Sequence, residues 1–372
     1  MESKLFGTRL YVSYSKLAHN VNYLKRYFKK QNIIAMVKAN AYGHGDIFIA
    51  EKLQNLGISC FGVADFDEGL RLRSHGIKGS IMVMNPGAYN LQIILENNLQ
   101  PVIYNNETLS MLIQLIQKDR LPQILFKDIM YIHIKVNTGM NRWGFDVSTL
   151  PKVIGKLESL KGVKIKSIYS HLASSGNFKD DSFTKGQINQ FTKVRKLLTT
   201  ILSYSVNYHI FNSSAFLRKF EFDQPHSIRA GILMYGSINN NNLHSIAELR
   251  CAISDIRIVN AGDTIGYQRS YMVEKKMKIG VLPFGYADGL QRSWGNGKLH
   301  FLYNDKLLPT IGDISMDSCI IDLSELENVS VGDDVLYFGE KRPIWDLAKE
   351  LNTIPYEITS TLSRRIKRIY FP

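Results

Sequence analysis

Cysteine is nearly absent from this 372-residue sequence, and the three that occur, Cys60, Cys251 and Cys319, are odd in number and far apart. They suit neither a disulfide framework nor a zinc site, which fits a reducing compartment. Long apolar runs are missing as well. No stretch reaches the ~18 apolar residues that a membrane helix needs, and the opening MESKLFGTRLYV lacks the apolar core of a signal peptide. A cytoplasmic chain without membrane association is expected. There is no internal repeat and no low-complexity segment. What is present is an apolar content of 45% over a length beyond the usual limit of one hydrophobic core, so two domains are expected.

The net charge of +13 raises a nucleic-acid reading, because clustered Lys and Arg neutralise phosphates. Here the basic residues are scattered. The densest cluster, Arg364-Arg365-Ile366-Lys367-Arg368, is short and terminal, and no basic stripe interleaved with aromatics is found. No nucleic-acid partner is expected, and the charge reads as solvated faces.

Apolar residues Leu17, Val21, Leu24 and Phe28 recur at helical spacing, and Asn32 then leads into the apolar run Ile33–Val37. Further runs follow at Cys60–Ala64, Ile81–Met84, Pro101–Tyr104, Tyr131–Asn137, Ile165–His171, Asn207–Asn212 and His226–Arg229, separated by amphipathic stretches such as Asp46–Leu56 and Gln187–Leu202. These make eight candidate strands alternating with helices. Continuous apolar strands buried on both faces suggest an α/β fold, an N-terminal (β/α)8 TIM-like barrel over residues 1–238, with an open doubly wound sheet as the alternative. Beyond the polar run Asn239–Asn242 come short strands and turns, at Ala261-Gly262-Asp263, Asn296-Gly297 and Gly332-Asp333-Asp334, so residues 239–372 read as a mostly β C-terminal domain.

In such a barrel the chemistry gathers at the C-terminal ends of the strands. Strand one ends in Lys38, strand five runs into Thr138-Gly139-Met140-Asn141-Arg142, strand six ends at His171, strand seven delivers Asn212-Ser213, and strand eight delivers Arg229-Ala230-Gly231-Ile232. A lysine ending an apolar strand either snorkels to water or escapes its burial by a lowered pKa or by forming an imine. Ser213 and the backbone N–H groups of Gly231 and Ile232 either cradle a phosphate or form an ordinary turn.

Val37-Lys38-Ala39-Asn40-Ala41-Tyr42-Gly43-His44-Gly45 resembles the cofactor-lysine signature of the alanine racemases, which are fold type III pyridoxal-phosphate enzymes. The similarity continues through His133-Ile-Lys-Val-Asn-Thr-Gly-Met-Asn-Arg142, Tyr169-Ser-His171, Asn212-Ser213, Arg229-Ala-Gly231-Ile232, Gly266-Tyr267, Gly285-Tyr-Ala-Asp-Gly289, Ser315-Met316-Asp317 and Pro355-Tyr356-Glu357. The resemblance implies a homodimeric isomerase that interconverts L- and D-alanine on pyridoxal 5'-phosphate and supplies D-alanine for peptidoglycan. It implies that Lys38 forms the internal aldimine, that Tyr42, Asn212, Ser213, Gly231, Ile232 and Tyr356 bind the cofactor, and that His171 packs against its ring. Arg142 would lie near the phenolic oxygen and the substrate, and Lys135 matches a position carbamylated in many members. His133, Lys135 and Asn137 share one strand face by two-residue alternation. No metal is implied.

Arg229 matches the arginine at the pyridine nitrogen. A guanidinium only donates, so that nitrogen stays an unprotonated acceptor and the ring a weaker electron sink, which favours prompt reprotonation over transamination. Racemisation needs an acid/base group on each face of Cα. By resemblance these are Lys38 and, from the partner subunit, Tyr267. An ordinary phenol keeps its proton at neutral pH, so a chain from Tyr267 through His171 to Arg229 is expected to assist it. Met316 would hold the substrate carboxylate, while Tyr286 and Tyr356 narrow access to a methyl-sized pocket.

The sequence departs from the family at Asn137, where many members have Asp, at Asn141, where Gly or His is common, and at Asp313, where an arginine often lines the access corridor. Asp313 is expected to pair with Arg292. The rival readings are a serine or broad-specificity racemase of the same fold, a non-catalytic carrier of the cofactor, and a decarboxylase using Cys319.

Overall fold

The computed structural model describes residues 7–28, 32–117, 129–220 and 227–372. Residues 1–6 of the opening stretch and His226 of the last expected barrel strand lie outside the described residues. The chain divides into two compact units, one of Leu24–Ala41 and Asp46–Gly231, the other of Met1–Tyr23, Tyr42–Gly45 and Ile232–Pro372.

Each of the eight apolar runs becomes a parallel strand of the first unit. After β1 (Thr8–Ser13), which pairs in the other unit, these are β2 (Asn32–Met36), β3 (Cys60–Val63), β4 (Ser80–Val83), β5 (Gln100–Ile103), β6 (Met130–Lys135), β7 (Val163–Tyr169), β8 (Asn207–His209) and β9 (Ser227–Ala230). The sheet runs β8-β7-β6-β5-β4-β3-β2-β9, so neighbours in sequence are neighbours in space and the first barrel strand pairs with the last. This is a nearly closed barrel and excludes the open sheet. Its seam is bridged by the Arg229 N–H donating to the Phe211 carbonyl at 3.3 Å. Helices such as Asp46–Asn55, Leu150–Glu158 and Ser182–Ile201 cross between strands and bury one apolar face, as Leu150, Val153, Ile154 and Leu157 show.

The runs overshoot the ladders at their C-terminal ends. Asn137, His171 and Asn212 lie beyond β6, β7 and β8, although Val136, Ile210 and Phe211 remain buried there. An apolar run records burial, and burial continues past the last ladder bond into the loops that carry the site.

In the other unit β1 joins β10 (Ala247–Ala252), β11 (Asp255–Val259), β14 (Met277–Leu282), β15 (His300–Tyr303), β16 (Lys306–Ile311), β17 (Cys319–Asp322), β18 (Asp334–Phe338) and β19 (Lys367–Phe371) in one nine-stranded sheet. β12 (Thr264–Ile265) and β13 (Tyr271–Met272) form a separate hairpin. β1 pairs antiparallel with β10 and in parallel with β19, so an N-terminal segment read as barrel contributes a strand to the mostly β unit. Its alternation, with Leu10 and Val12 at 1% and 0% exposure, fits either placement, and only the pairing decides. Phe284, Phe301, Tyr337 and Phe338 are fully buried in this unit, and Ile265, Val273, Met277, Ile279 and Ile311 pack where the hairpin is rooted.

The terminal basic cluster is absorbed by this unit. Arg365 bridges the Asp288 carboxylate (2.6 Å) and that of Asp317 (2.8 Å). Arg368 donates to the carbonyls of Gly43, Leu362, Ser363 and Ile366. Two of the cluster's arginines are therefore committed to internal partners.

Candidate active site

Lys38 does not end the strand; it opens a five-residue turn, Lys38–Tyr42, just beyond β2. Ala39, Asn40, Ala41 and Tyr42 have φ of 51°, 55°, 52° and 54°. Left-handed backbone costs a non-glycine residue roughly 1–2 kcal/mol, so four in succession persist only where surrounding groups impose them, a pattern that clusters at functional sites. The restraint is visible. The Glu68 carboxylate accepts the N–H of Ala39 at 2.6 Å and of Ala64 at 2.7 Å, Asn40 Oδ1 accepts the Asp46 N–H at 3.1 Å, and the Ala41 N–H reaches the Val37 carbonyl at 2.9 Å. Nothing in the sequence singled out Glu68. Burial pushes its carboxyl up while the two N–H bonds oppose that.

Around Lys38 the barrel mouth collects positive charge. Burial, then Arg142 and Arg229, push the Lys38 ammonium down against the opposing pull of Glu68. Lys135, only 4% exposed, is pushed down to about 7 by burial and then by Arg142, Arg229 and Lys38. His171 is held well below its ordinary value by burial and by the same cations. Every charged group that acts on Lys135 and His171 is cationic. Such a cluster is complementary to an anion with several oxygens.

The aromatic rings beneath these cations escaped the sequence reading. Lys135 Nζ lies 5.1 Å from the Trp143 centroid and 5.8 Å from that of Tyr169; Arg142 lies 5.2 Å from Trp143, and Arg229 5.1 Å from Tyr169. Tyr169 is fully buried and stacks on His209 at 5.0 Å. The signal was available, since Trp143 follows Arg142 and Tyr169 stands two residues before His171. These faces hold cations without neutralising them.

Arg229, 3% exposed, donates to the carbonyls of Ser170 (2.9 Å) and Ile210 (3.1 Å), to His209 Nδ1 (2.8 Å) and to His171 Nδ1 (3.1 Å). The His171 ring must therefore carry its proton on Nε2. The Arg229–His171 half of the expected chain is thus present.

Ser213 and Gly231 come together, with the Gly231 N–H donating to Ser213 Oγ at 3.3 Å, and Ile232 follows as the first residue of helix Ile232–Tyr235. The Asn212 side chain is engaged within the fold. It caps helix Ser213–Leu217 through the Ala215 N–H, takes the Ser175 hydroxyl and donates to the Leu172 carbonyl, so it positions Ser213. Asn137 likewise accepts the N–H groups of Gly139 and Asn141 at 3.1 Å, shaping the turn that ends in Arg142. Asn141 has φ 55°, which suits asparagine where glycine is common.

In the mostly β unit the Tyr42 and Tyr356 rings lie 5.9 Å apart. The approach depends on Gly43, where a Cβ would stand 1.9 Å from the Thr359 carbonyl oxygen. Tyr286 and Met316 are joined through the backbone. The N–H groups of Tyr286 and Ala287 donate to the Ser315 and Met316 carbonyls, and a Cβ at Gly285 would stand 2.2 Å from the Met316 oxygen. Tyr267 follows Gly266, at φ 80°, and is 70% exposed. Asp313 accepts from Arg292 at 2.7 Å and from Asn296 at 3.0 Å, the pairing expected. Cys319 is 2% exposed with its thiol pushed well up by burial, which removes the decarboxylase reading. Among the described residues no His/Cys/Asp/Glu cluster could hold a metal ion, and no helix is long and apolar enough to cross a membrane.

A parallel barrel whose mouth holds a strained lysine turn among cations, followed by a β unit, defines a class of enzyme site built for an anionic ligand. Comparison with known proteins makes the class specific. The profile of the alanine racemase N-terminal domain matches residues 12–239, and that of the alanine racemase C-terminal domain matches residues 246–370. The alanine racemase of Clostridium tetani (strain Massachusetts / E88) is 34% identical, covering 96% of this chain and 94% of that protein. That of Helicobacter pylori (strain P12) is 32% identical, covering 96% and 97%. The crystal structure of alanine racemase from Bacillus anthracis with bound L-Ala-P superposes with a TM-score of 0.89 at 27% identity, over 99% of this chain and 96% of that one. The chain belongs to the alanine racemase family.

Proposed function

We propose that this protein interconverts L- and D-alanine on pyridoxal 5'-phosphate, as a homodimer whose sites are shared between subunits. Residues 1–238 would bind the cofactor and 239–372 complete the site, with β1 lending structure to the latter. The observation that carries the reading is the electropositive mouth around Lys38 in a chain matched over nearly its whole length by alanine racemases.

The donor set fits this cofactor. Ser213 with the Gly231 and Ile232 N–H groups, helped by Tyr42 and Tyr356, would hold the phosphate; Arg142 and Lys135 would face the phenolic oxygen; Arg229 would donate to the ring nitrogen; His171 would pack on the ring. The cofactor supplies an electrophilic carbon for amines and a ring that acidifies the amino-acid Cα.

The remaining chemistry belongs to the chain. Lys38, its ammonium destabilised by burial and by Arg142, is a neutral amine more readily than an ordinary lysine, so it can take or return a proton on one face of Cα. Tyr267 of the partner subunit would serve the other face, its phenol assisted by His171, whose Nδ1 is engaged by Arg229. Met316, through its backbone N–H, would hold the substrate carboxylate. Tyr286 and Tyr356 would leave room for a methyl group, which favours alanine over serine.

Incubation with L-alanine in deuterated buffer tests the reading. Loss of optical rotation with deuteration at Cα, weak for L-serine and absent in Lys38→Ala, is the expected result; no exchange in protein showing the cofactor imine would refute it. Mixing Lys38→Ala with Tyr267→Phe subunits tests the shared site. A mixed dimer regains one intact site only if each site draws on both subunits, and no recovery would refute sharing. His171→Phe should lower kcat unequally in the two directions, with KM following so that kcat/KM stays equal for the two enantiomers.

A further inference from the structure

Below the mouth, the barrel interior is crossed by buried polar side chains that the proton transfers do not use. Gln100 (7% exposed), His133 (2%), Ser167 (3%) and His209 (0%) come from β5, β6, β7 and β8, and β9 supplies Arg229. They connect end to end. Gln100 Oε1 is 3.1 Å from His133 Nε2, His133 Nδ1 is 2.6 Å from Ser167 Oγ, Ser167 Oγ is 3.0 Å from His209 Nε2, and His209 Nδ1 is 2.8 Å from Arg229.

The chemistry of the two ends dictates where every proton lies. A guanidinium only donates, so His209 Nδ1 is bare and its Nε2–H donates to Ser167 Oγ. An amide oxygen only accepts, so His133 carries its proton on Nε2. Burial holds the His133 imidazolium down to about 3, leaving Nδ1 bare to accept the Ser167 hydroxyl. Deduction from either end reaches Ser167 with one bond accepted and one donated, which is what a hydroxyl can do. A second proton on either ring would set two donors against each other in a dry interior.

We infer that Gln100, His133, Ser167 and His209 form a hydrogen-bond chain of fixed direction that holds His209 as an acceptor for Arg229. The chain moves no proton; it holds the guanidinium toward His171, where it would donate to the ring nitrogen of a bound cofactor. Ser167 is its pivot and a positioning residue. The kinetic part rests on the racemase reading, whereas the direction of the chain does not.

The test uses the full chain loaded with pyridoxal phosphate and 15N-labelled at histidine. Wild type should show His133 and His209 as neutral rings protonated on Nε2, and Gln100→Leu, which removes the far acceptor, should leave the His133 proton on Nε2, because the Ser167 hydroxyl still donates to Nδ1. Ser167→Ala should cut kcat about tenfold with KM changed less than about twofold, and Ser167→Thr, which keeps the hydroxyl, should restore it. An Nδ1-protonated or doubly protonated ring in wild type would overturn the chain, and so would a His133 proton moved to Nδ1 in Gln100→Leu. Wild-type kcat in Ser167→Ala, or the same loss in Ala and Thr, would overturn its positioning role. The expected ring protonation in a protein that racemises nothing would sink the racemase reading and leave the chain standing.

Discussion

Replacing Lys135 by methionine should stabilise the cofactor-free protein by an amount that depends on pH. Lys135 is 4% exposed, and burial with Arg142, Arg229 and Lys38 moves its ammonium from 10.5 to about 7. At about 1.4 kcal/mol per tenfold change in proton affinity, that displacement sets a ceiling of roughly 5 kcal/mol on the cost of keeping the ammonium in the fold. The unfolded chain binds the proton up to ~10.4 and the folded chain only below about 7. Between these values the unfolded state holds more protons, so wild-type stability rises with pH. Methionine keeps the length without the charge. The advantage of the substitution is therefore greatest below pH about 7, shrinks as pH rises, and disappears once both states are neutral. Urea unfolding of both proteins from about pH 6 to about pH 10 measures it. A difference that does not vary with pH, or a methionine variant less stable at the acid end, would refute the reasoning. Carbon dioxide provides a second arm. A neutral lysine amine adds CO2 to give a carbamate and a proton, and the new anion would sit among the cations that had opposed the ammonium. Bicarbonate should therefore stabilise wild type above pH about 7 and leave the variant unchanged.

Ala39→Gly should raise stability by about 1 kcal/mol, because φ of 51° is strained for alanine and free for glycine; a lower melting temperature would contradict it. Gly285→Ala should cost about 3 kcal/mol in denaturant unfolding, since its Cβ would stand 2.2 Å from the Met316 carbonyl oxygen and 2.5 Å from that of Ser315. Wild-type stability there would mean that the Met316 loop moves freely. The cysteines should react slowly with thiol reagents in the native protein at neutral pH, with Cys60 pushed to about 11, Cys251 to about 12 and Cys319 upward by burial. Rapid labelling before unfolding would show that these sites open.

The barrel was legible in the sequence because buried parallel strands read as continuous apolar runs, and all eight runs became strands. What misled was local. Lys38 looked like a strand end, yet Met36 closes β2 and the lysine opens a left-handed turn made of residues with no special preference for it. Alanine gives no signal of positive φ, and Glu68, which ties that turn down, lies thirty residues away in sequence from Lys38. The placement of β1 was hidden for the same reason: its partners lie beyond residue 246. Most site residues were legible through resemblance more than through chemistry. At Asn212 the resemblance gave no sign that the side chain caps the helix that carries Ser213.

Two unfavourable features meet at the barrel mouth, a strained turn and a set of cations that disfavour one another. Glu68 braces the turn and opposes the cations at Lys38, but the charged groups acting on Lys135 are all cations. A ligand that brings a phosphate, a phenolic oxygen and an electrophilic carbon would relieve the second. The polar chain below completes the logic. Arg229 is held by histidine nitrogens and backbone carbonyls, which are neutral acceptors. A site arranged in this way would attract an anion, and a guanidinium donating to the ring nitrogen would keep that nitrogen from taking a proton.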